Sequence, residues 1–410
     1  MKSKSFLILI IVLCVLSAIT YFVLQKQQTT VRSDRMGEPL FESFPLSEVA
    51  AITITGRDGG SLRSVKLRRG DNQWIVENLF DYPAAFRELS DLVRKLAESK
   101  IGRSFPASED IISRLALISP RQENVSSDKT AILVVFSGGD GSMLAEVLVG
   151  KPRESSAGAA GHYVIAAEED KVLLVDQSFR NLSAKPSAWI EKELLNIEPD
   201  AIKTVTAGEP GRDSPGYVLK RPEKGKAPEF ADPPEDKKIK KHMVNSIFDV
   251  LSRLQIEDVA GFSENLSNEK TGFENASRLK FHLFDGTIYT LVPGNTLENN
   301  KAKHYLKVEA SFEAPQTSEA GLSETESSDA SNSGENAESG DPTDTDTETV
   351  SGQKPQPADT SDKPDKEKMA EAVSEQNEKL SHWVYVISDW EYKSLITSPD
   401  EFFEEEKQEN

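Results

Sequence analysis

The chain has 410 residues, a formal net charge of -20 at pH 7 and one cysteine, Cys14. A lone cysteine excludes an intrachain disulfide and any cysteine-based zinc or iron–sulfur site. The acidic excess argues against nucleic acid as a partner, because phosphate binding is driven by Lys and Arg.

Residues 1–5 are a short basic head with Lys2 and Lys4, read as cytoplasmic. Residues 6–24, FLILIIVLCVLSAITYFVL, follow without a charged side chain. As a helix this stretch reaches about 28 Å, close to the hydrocarbon thickness of a bilayer, and a helix satisfies its own backbone polar groups there. Lys26, Arg32 and Arg35 lie beyond it, so charge alone is ambiguous, but the positive head favours amino terminus in and remainder out. A cleaved signal peptide needs a shorter apolar core and a small-residue cleavage site, and Ile19, Thr20, Tyr21 and Phe22 supply none. Leu13 before Cys14 also departs from a lipoprotein pattern. The reading is an uncleaved single-pass anchor in a bacterial inner membrane, with residues 25–38 as a polar linker to a periplasmic body.

Two copies of one unit make up that body, over 39–188 and 189–400. The first opens with Val49, Ile52 and Ile54; the second opens with Ile202 and Val205 at the same three-residue step. Alternating strands follow around Val65 and Leu67, and around Tyr217 and Leu219. A helical stripe, Leu89, Leu92, Val93 and Leu96, recurs as Ile247, Val250, Leu251 and Leu254, with Ile101 and Val259 five residues beyond. Asp140-Gly141 and Asp285-Gly286 then each join two apolar alternating runs, a strong hairpin signal because Gly accepts positive φ. Last, His162-Tyr163 begins a strand paired with KVLLV, and His304-Tyr305 begins one whose partner, WVYVIS, appears only at Trp383. The fold class is α+β: two repeated units, each an antiparallel sheet with a packed helix.

Residues 313–381 interrupt the last hairpin with 18 acidic and 5 basic residues. Rich in Ser, Thr, Gly and Pro and poor in aliphatics, this insertion reads as a disordered spacer, and loop closure tolerates its length. Residues 401–410 read as an acidic C-terminal tail.

Chemical signatures are sparse. The five histidines, His162, His242, His282, His304 and His382, show no H-x-x-x-H or H-E-x-x-H spacing. Two of them stand at equivalent strand starts, which points to a repeated structural role. The SGGDGS glycines lack the Lys of a P-loop and the strand-to-helix context of a dinucleotide fingerprint. Trp74 and Trp383 sit in strands and read as core, Trp189 opens a helical connector between units, and an exposed Trp is a candidate sugar platform. No catalytic, cofactor-binding or metal-binding residue is assigned, and no cofactor is expected.

The order anchor, FPLSEVAAITI, a W-I-V strand, DYPAAFRELSDLVRKLAESK, the LVGK turn at 148–151 and WIEKELLNIEPDAIKTV resembles the bacterial family called domain of unknown function 4340. The similarity covers about residues 39–312 and the strand at Trp383; the acidic insertion departs from the family's compact pattern. The resemblance implies an envelope protein without assigned catalytic residues. It also implies relatives encoded beside ABC-transporter permeases and gliding-motility-type subunits. The expectation is therefore a non-catalytic binding or scaffold module serving such a membrane complex. The alternatives are a glycan-acting envelope hydrolase with carboxylates converging in a cleft, and a passive binder of glycan or small ligands in a groove between the units.

Overall fold

The computed structural model describes residues 35–154, 161–166, 170–208, 215–314 and 362–404. The anchor at 6–24, most of the linker, residues 315–361 of the insertion and the last six residues lie outside the described residues. Among those described, no helix is long and apolar enough to cross a membrane.

Alternating apolar residues build the first sheet from β1 (Ala51–Asp58), β2 (Ser61–Arg69), β3 (Trp74–Val76), β4 (Tyr82–Pro83), β5 (Ile101–Pro106), β6 (Ile132–Ser137), β7 (Met143–Pro152), β8 (His162–Ala166) and β9 (Lys171–Val175). Helices α1 (Phe86–Glu98) and α2 (Glu109–Arg114) interrupt it. The spatial order is β4-β3-β2-β1-β6-β7-β8-β9-β5. A connector strand, β10 (Glu193–Leu195), leads into β11 (Ile202–Gly208), β12 (Pro215–Lys220) and β13 (Glu229–Phe230). Helix α3 (Lys241–Phe248) precedes β14 (Leu254–Gln255) and β15 (Asp258–Phe262), and helix α4 (Asn268–Thr271) precedes β16 (Leu279–Leu283), β17 (Thr287–Leu297) and β18 (Asn300–Phe312). Helix α5 (Asp362–Ser381), β19 (Trp383–Ser388) and helix α6 (Asp389–Leu395) complete the second unit. Its sheet runs β13-β12-β11-β16-β17-β18-β19-β15, the order of the first sheet strand for strand from β3 to β5. The fold is α+β with antiparallel sheets.

Register shows how deep the duplication goes. Ile52 stands opposite Leu67 and Phe136; Val205 stands opposite Leu219 and Phe281. His162 faces Val175 as His304 faces Ile387. Gly150 on β7 and Gly294 on β17 match as well: a methyl on either would collide with a carbonyl at the end of the small preceding helix, of Leu115 or of Thr271. Both small helices are N-capped by a serine, Ser108 and Ser267, whose side chain accepts a backbone N–H. Glycine at these two positions lets helix and strand backbones approach directly.

The helical stripe is repeated one turn earlier than the sequence pattern suggests. Leu89, Leu92 and Leu96 are buried on α1, and Val244, Ile247, Phe248 and Leu251 are their buried counterparts. Ile101 is matched by buried Ile256. The stripe 244, 247, 248, 251, 256 has the same spacing as the expected 247, 250, 251, 254, 259. The competing frame fails because α3 stops at Phe248 and Leu254 enters β14, paired with the connector.

Three further expectations are corrected. The connector after Trp189 is extended: Trp189 O accepts from Ala85 N and Pro83 O accepts from Glu191 N, while β10 pairs with β14. Strand partners on both sides displace the helical pattern. The insertion ends well before residue 381, because 362–381 is helix α5. Val373 and Leu380 are buried, Asn377 Oδ1 accepts from Ala310 N at 2.8 Å, and Gln376 Oε1 accepts from the Tyr289 hydroxyl at 3.0 Å. The tail begins later than 401, since Phe402 and Phe403 are buried and Phe402 O accepts from Lys240 N.

The two units share one continuous apolar core. At their seam the Tyr82 ring meets Trp383 edge-on at 4.9 Å and Tyr385 at 6.2 Å, and Phe80 meets Phe262 at 5.5 Å. Trp383 Nε1 donates to the Phe80 carbonyl at 2.9 Å. Phe80 and Asp81 hold left-handed φ values of 57° and 52° in that turn. These rings pack the two units against each other at the turn of Phe80 and Asp81.

Candidate functional site

A cleft of about 790 Å³ opens within the second unit. One wall is the end of the β11–β12 hairpin, with Ala207, Gly208, Gly216 and Tyr217. A second is α4 and the turn after it, with Asn268, Glu269, Asn275 and Ser277. Gly294 and Asn295 of β17 close the floor, and Tyr392, Leu395, Thr397 and Ser398 of α6 and its exit form the far side. The volume falls within the range of about 300–1,000 Å³ usual for small-molecule sites.

Backbone geometry fixes these walls. The Ser277 hydroxyl donates to Gly208 O at 2.6 Å, tying the α4 side to the hairpin. Asn295 Nδ2 donates to the Glu269 and Lys270 carbonyls at 3.3 Å each. Gly272, with φ +74°, leaves room for the Asn295 side chain. Ser398 caps the last turn in a reciprocal arrangement with Glu401. Tyr392 lies parallel to the His304 ring with centroids 3.7 Å apart, and His304 Nε2 lies 3.3 Å from Asp389 Oδ1.

Tyr217 is the unusual member. It is 4% exposed, its ring packs on Phe402 at 4.8 Å, and its hydroxyl is buried with no hydrogen-bond partner among the described residues. Burial, and to a smaller degree the nearby Glu401 carboxylate, pushes its pKa upward, so the phenol stays neutral as a donor and acceptor.

His162 and His304 occupy equivalent register positions, but only His162 opens its strand; β18 begins at Asn300, so His304 lies inside it. His162 is buried and its Nδ1 accepts from Phe179 N at 3.2 Å, and burial holds its pKa below the usual value. His304 is also buried and positions α6 through Asp389 and Tyr392. Each thus fixes the segment that follows its partner strand. Trp189 is buried, with Nε1 donating to Ser183 O at 2.8 Å. Trp74 packs on the core and Trp383 sits at the seam, while Trp390 on α6 is 74% exposed. Burial pushes the Asp258 and Glu391 carboxyls up, yet neither lines the cleft. Among the described residues no three of His, Cys, Asp and Glu are grouped to hold a metal ion.

A second, open hollow of about 880 Å³ lies on the first unit near Arg35, with Phe41, Met143 and Lys171 in its lining. Sequence reading missed the first cleft because its lining consists of glycines, amides and hydroxyls at ordinary turn positions. The one signal available was Tyr217, standing in the second unit where register places Val65 in the first.

No curated protein and no solved structure matches the chain. Residues 74–276, which run from β3 through the turn after α4, match the family model described as Domain of unknown function (DUF4340), and the chain belongs to that family.

Proposed function

We propose that the chain is a membrane-tethered, extracytoplasmic binding module, without catalysis of its own, that serves an ABC-type transporter or a related envelope complex. The observation that carries the reading is the cleft of the second unit. Its walls offer backbone groups, amides and hydroxyls held rigidly from separate elements, an arrangement suited to recognition. The apolar stretch at 6–24 supports tethering, with the positive head of residues 1–5 on the cytoplasmic side. The shared core and the aromatic seam support a body that moves as one scaffold and presents the cleft at a fixed orientation.

The test is affinity purification of the full-length chain from its native membrane in mild detergent after light crosslinking. Permease and ATPase subunits are the expected companions. A monodisperse chain that brings down no transport subunit contradicts the accessory role.

A further inference from the structure

The cleft's chemistry narrows the ligand, on the reading that it is a binding site. Among the residues that line it there is no Lys, Arg or His, which disfavours an anion. Amides of Asn268 and Asn275 and carboxylates of Glu269 and Glu274 supply paired donors and acceptors of the kind that engage adjacent hydroxyls. Tyr392 adds an aromatic surface, held in place by its stack on His304.

Comparison of the two units shows what has been changed to make room. In β1–β2, Ile54 faces Val65, both fully buried, and Thr55 and Ser64 lie opposite with hydroxyls 3.3 Å apart. In β11–β12 the corresponding pair is Ala207 and Tyr217, followed by a register break and Gly208. The fold is therefore complete with a plain apolar pair at this position. The second unit carries a phenol whose hydroxyl no described residue satisfies, and an unpaired buried hydroxyl is a cost that folding alone does not explain.

We propose that the cleft binds an uncharged, hydroxyl-rich ligand of the oligosaccharide class, and that the Tyr217 hydroxyl is the hydrogen-bonding group it meets on the hairpin wall. The experiment uses the full-length chain in nanodiscs. Calorimetric titrations with maltotriose, N,N′-diacetylchitobiose and, as the cationic comparison, spermidine are run on the wild type and Tyr217→Phe. The expected result is binding of at least one saccharide, weakened tenfold or more by Tyr217→Phe. The melting temperature of the ligand-free variant should match or exceed that of the wild type, because its ring still packs on Phe402. Unchanged saccharide affinity, or a variant melting several degrees lower without ligand, overturns the role of Tyr217. Binding of spermidine alone, or of none of the three, overturns the ligand class. The subunit co-purification described above is read separately, so loss of the ligand assignment and loss of the accessory role are distinguishable.

Discussion

Trp383 joins the two units, and its substitution tests whether the seam couples them. Two interactions are separable there: the indole N–H donated to the Phe80 carbonyl at 2.9 Å, and the edge-on contact with Tyr82 at 4.9 Å. Trp383→Phe keeps a ring in the strand and removes the donor, so it should cost about 1 kcal/mol, the net worth of one neutral hydrogen bond. Trp383→Ala also removes the ring pair, worth about 0.5–1.5 kcal/mol beyond area, and the apolar area the indole covers. Its total should reach about 3 kcal/mol, below the upper end for fully buried Trp because the side chain is only half-buried. Phe80 and Asp81 add to this, since their left-handed backbone depends on the surrounding contacts to hold it. The assay is urea unfolding of the full chain in detergent, followed by far-UV circular dichroism. A loss under about 0.5 kcal/mol for Trp383→Ala, by the same measure, would refute coupling through this residue.

Three other outcomes follow from the same geometry. Gly150→Ala and Gly294→Ala should each destabilise the chain by about 1–3 kcal/mol in urea titrations, because both collide with a carbonyl of the preceding small helix; a loss at only one would break the equivalence of the units. Val373→Asp should release α5, costing about 2–3 kcal/mol for an unpaired charge in an apolar site and opening residues 362–381 to limited proteolysis. His162 is held neutral by burial, with a minor contribution from Arg180, so the unfolded chain binds its proton more readily than the folded one. Its contribution is intact above the ordinary histidine pKa of about 6.5 and is lost as pH falls from there through the depressed folded value. His162→Asn, which retains an acceptor for Phe179 N, should therefore show a smaller drop in melting temperature between about pH 7.5 and 5.5.

The sequence carried the sheet plan well because strand pairing is a local, period-two signal. Asp285-Gly286 and the split between His304 and Trp383 were readable even with the insertion between them. Helix phase was harder. Positions 244 to 259 contain two stripes of identical spacing, and only the pairing of β14 with the connector, a tertiary contact, selects the earlier one. Helix α5 was hidden by its neighbourhood: composition averaged over residues 313–381 is acidic and polar, while docking uses two aliphatics and two side-chain amides. Phe402 and Phe403 were likewise masked by the carboxylates around them. The cleft was the least legible feature, because glycines and amides acquire meaning there only when four separate elements converge.

Site-specific photocrosslinking in living cells tests most directly whether the cleft is the working surface of the tethered module. Benzoylphenylalanine placed at Tyr392, inside the cleft, is compared with the same probe at Leu62, exposed on the first-unit hairpin. A discrete adduct is expected from position 392 and none from position 62. Equal adducts from both, or an adduct from position 62 alone, would contradict that role for the cleft.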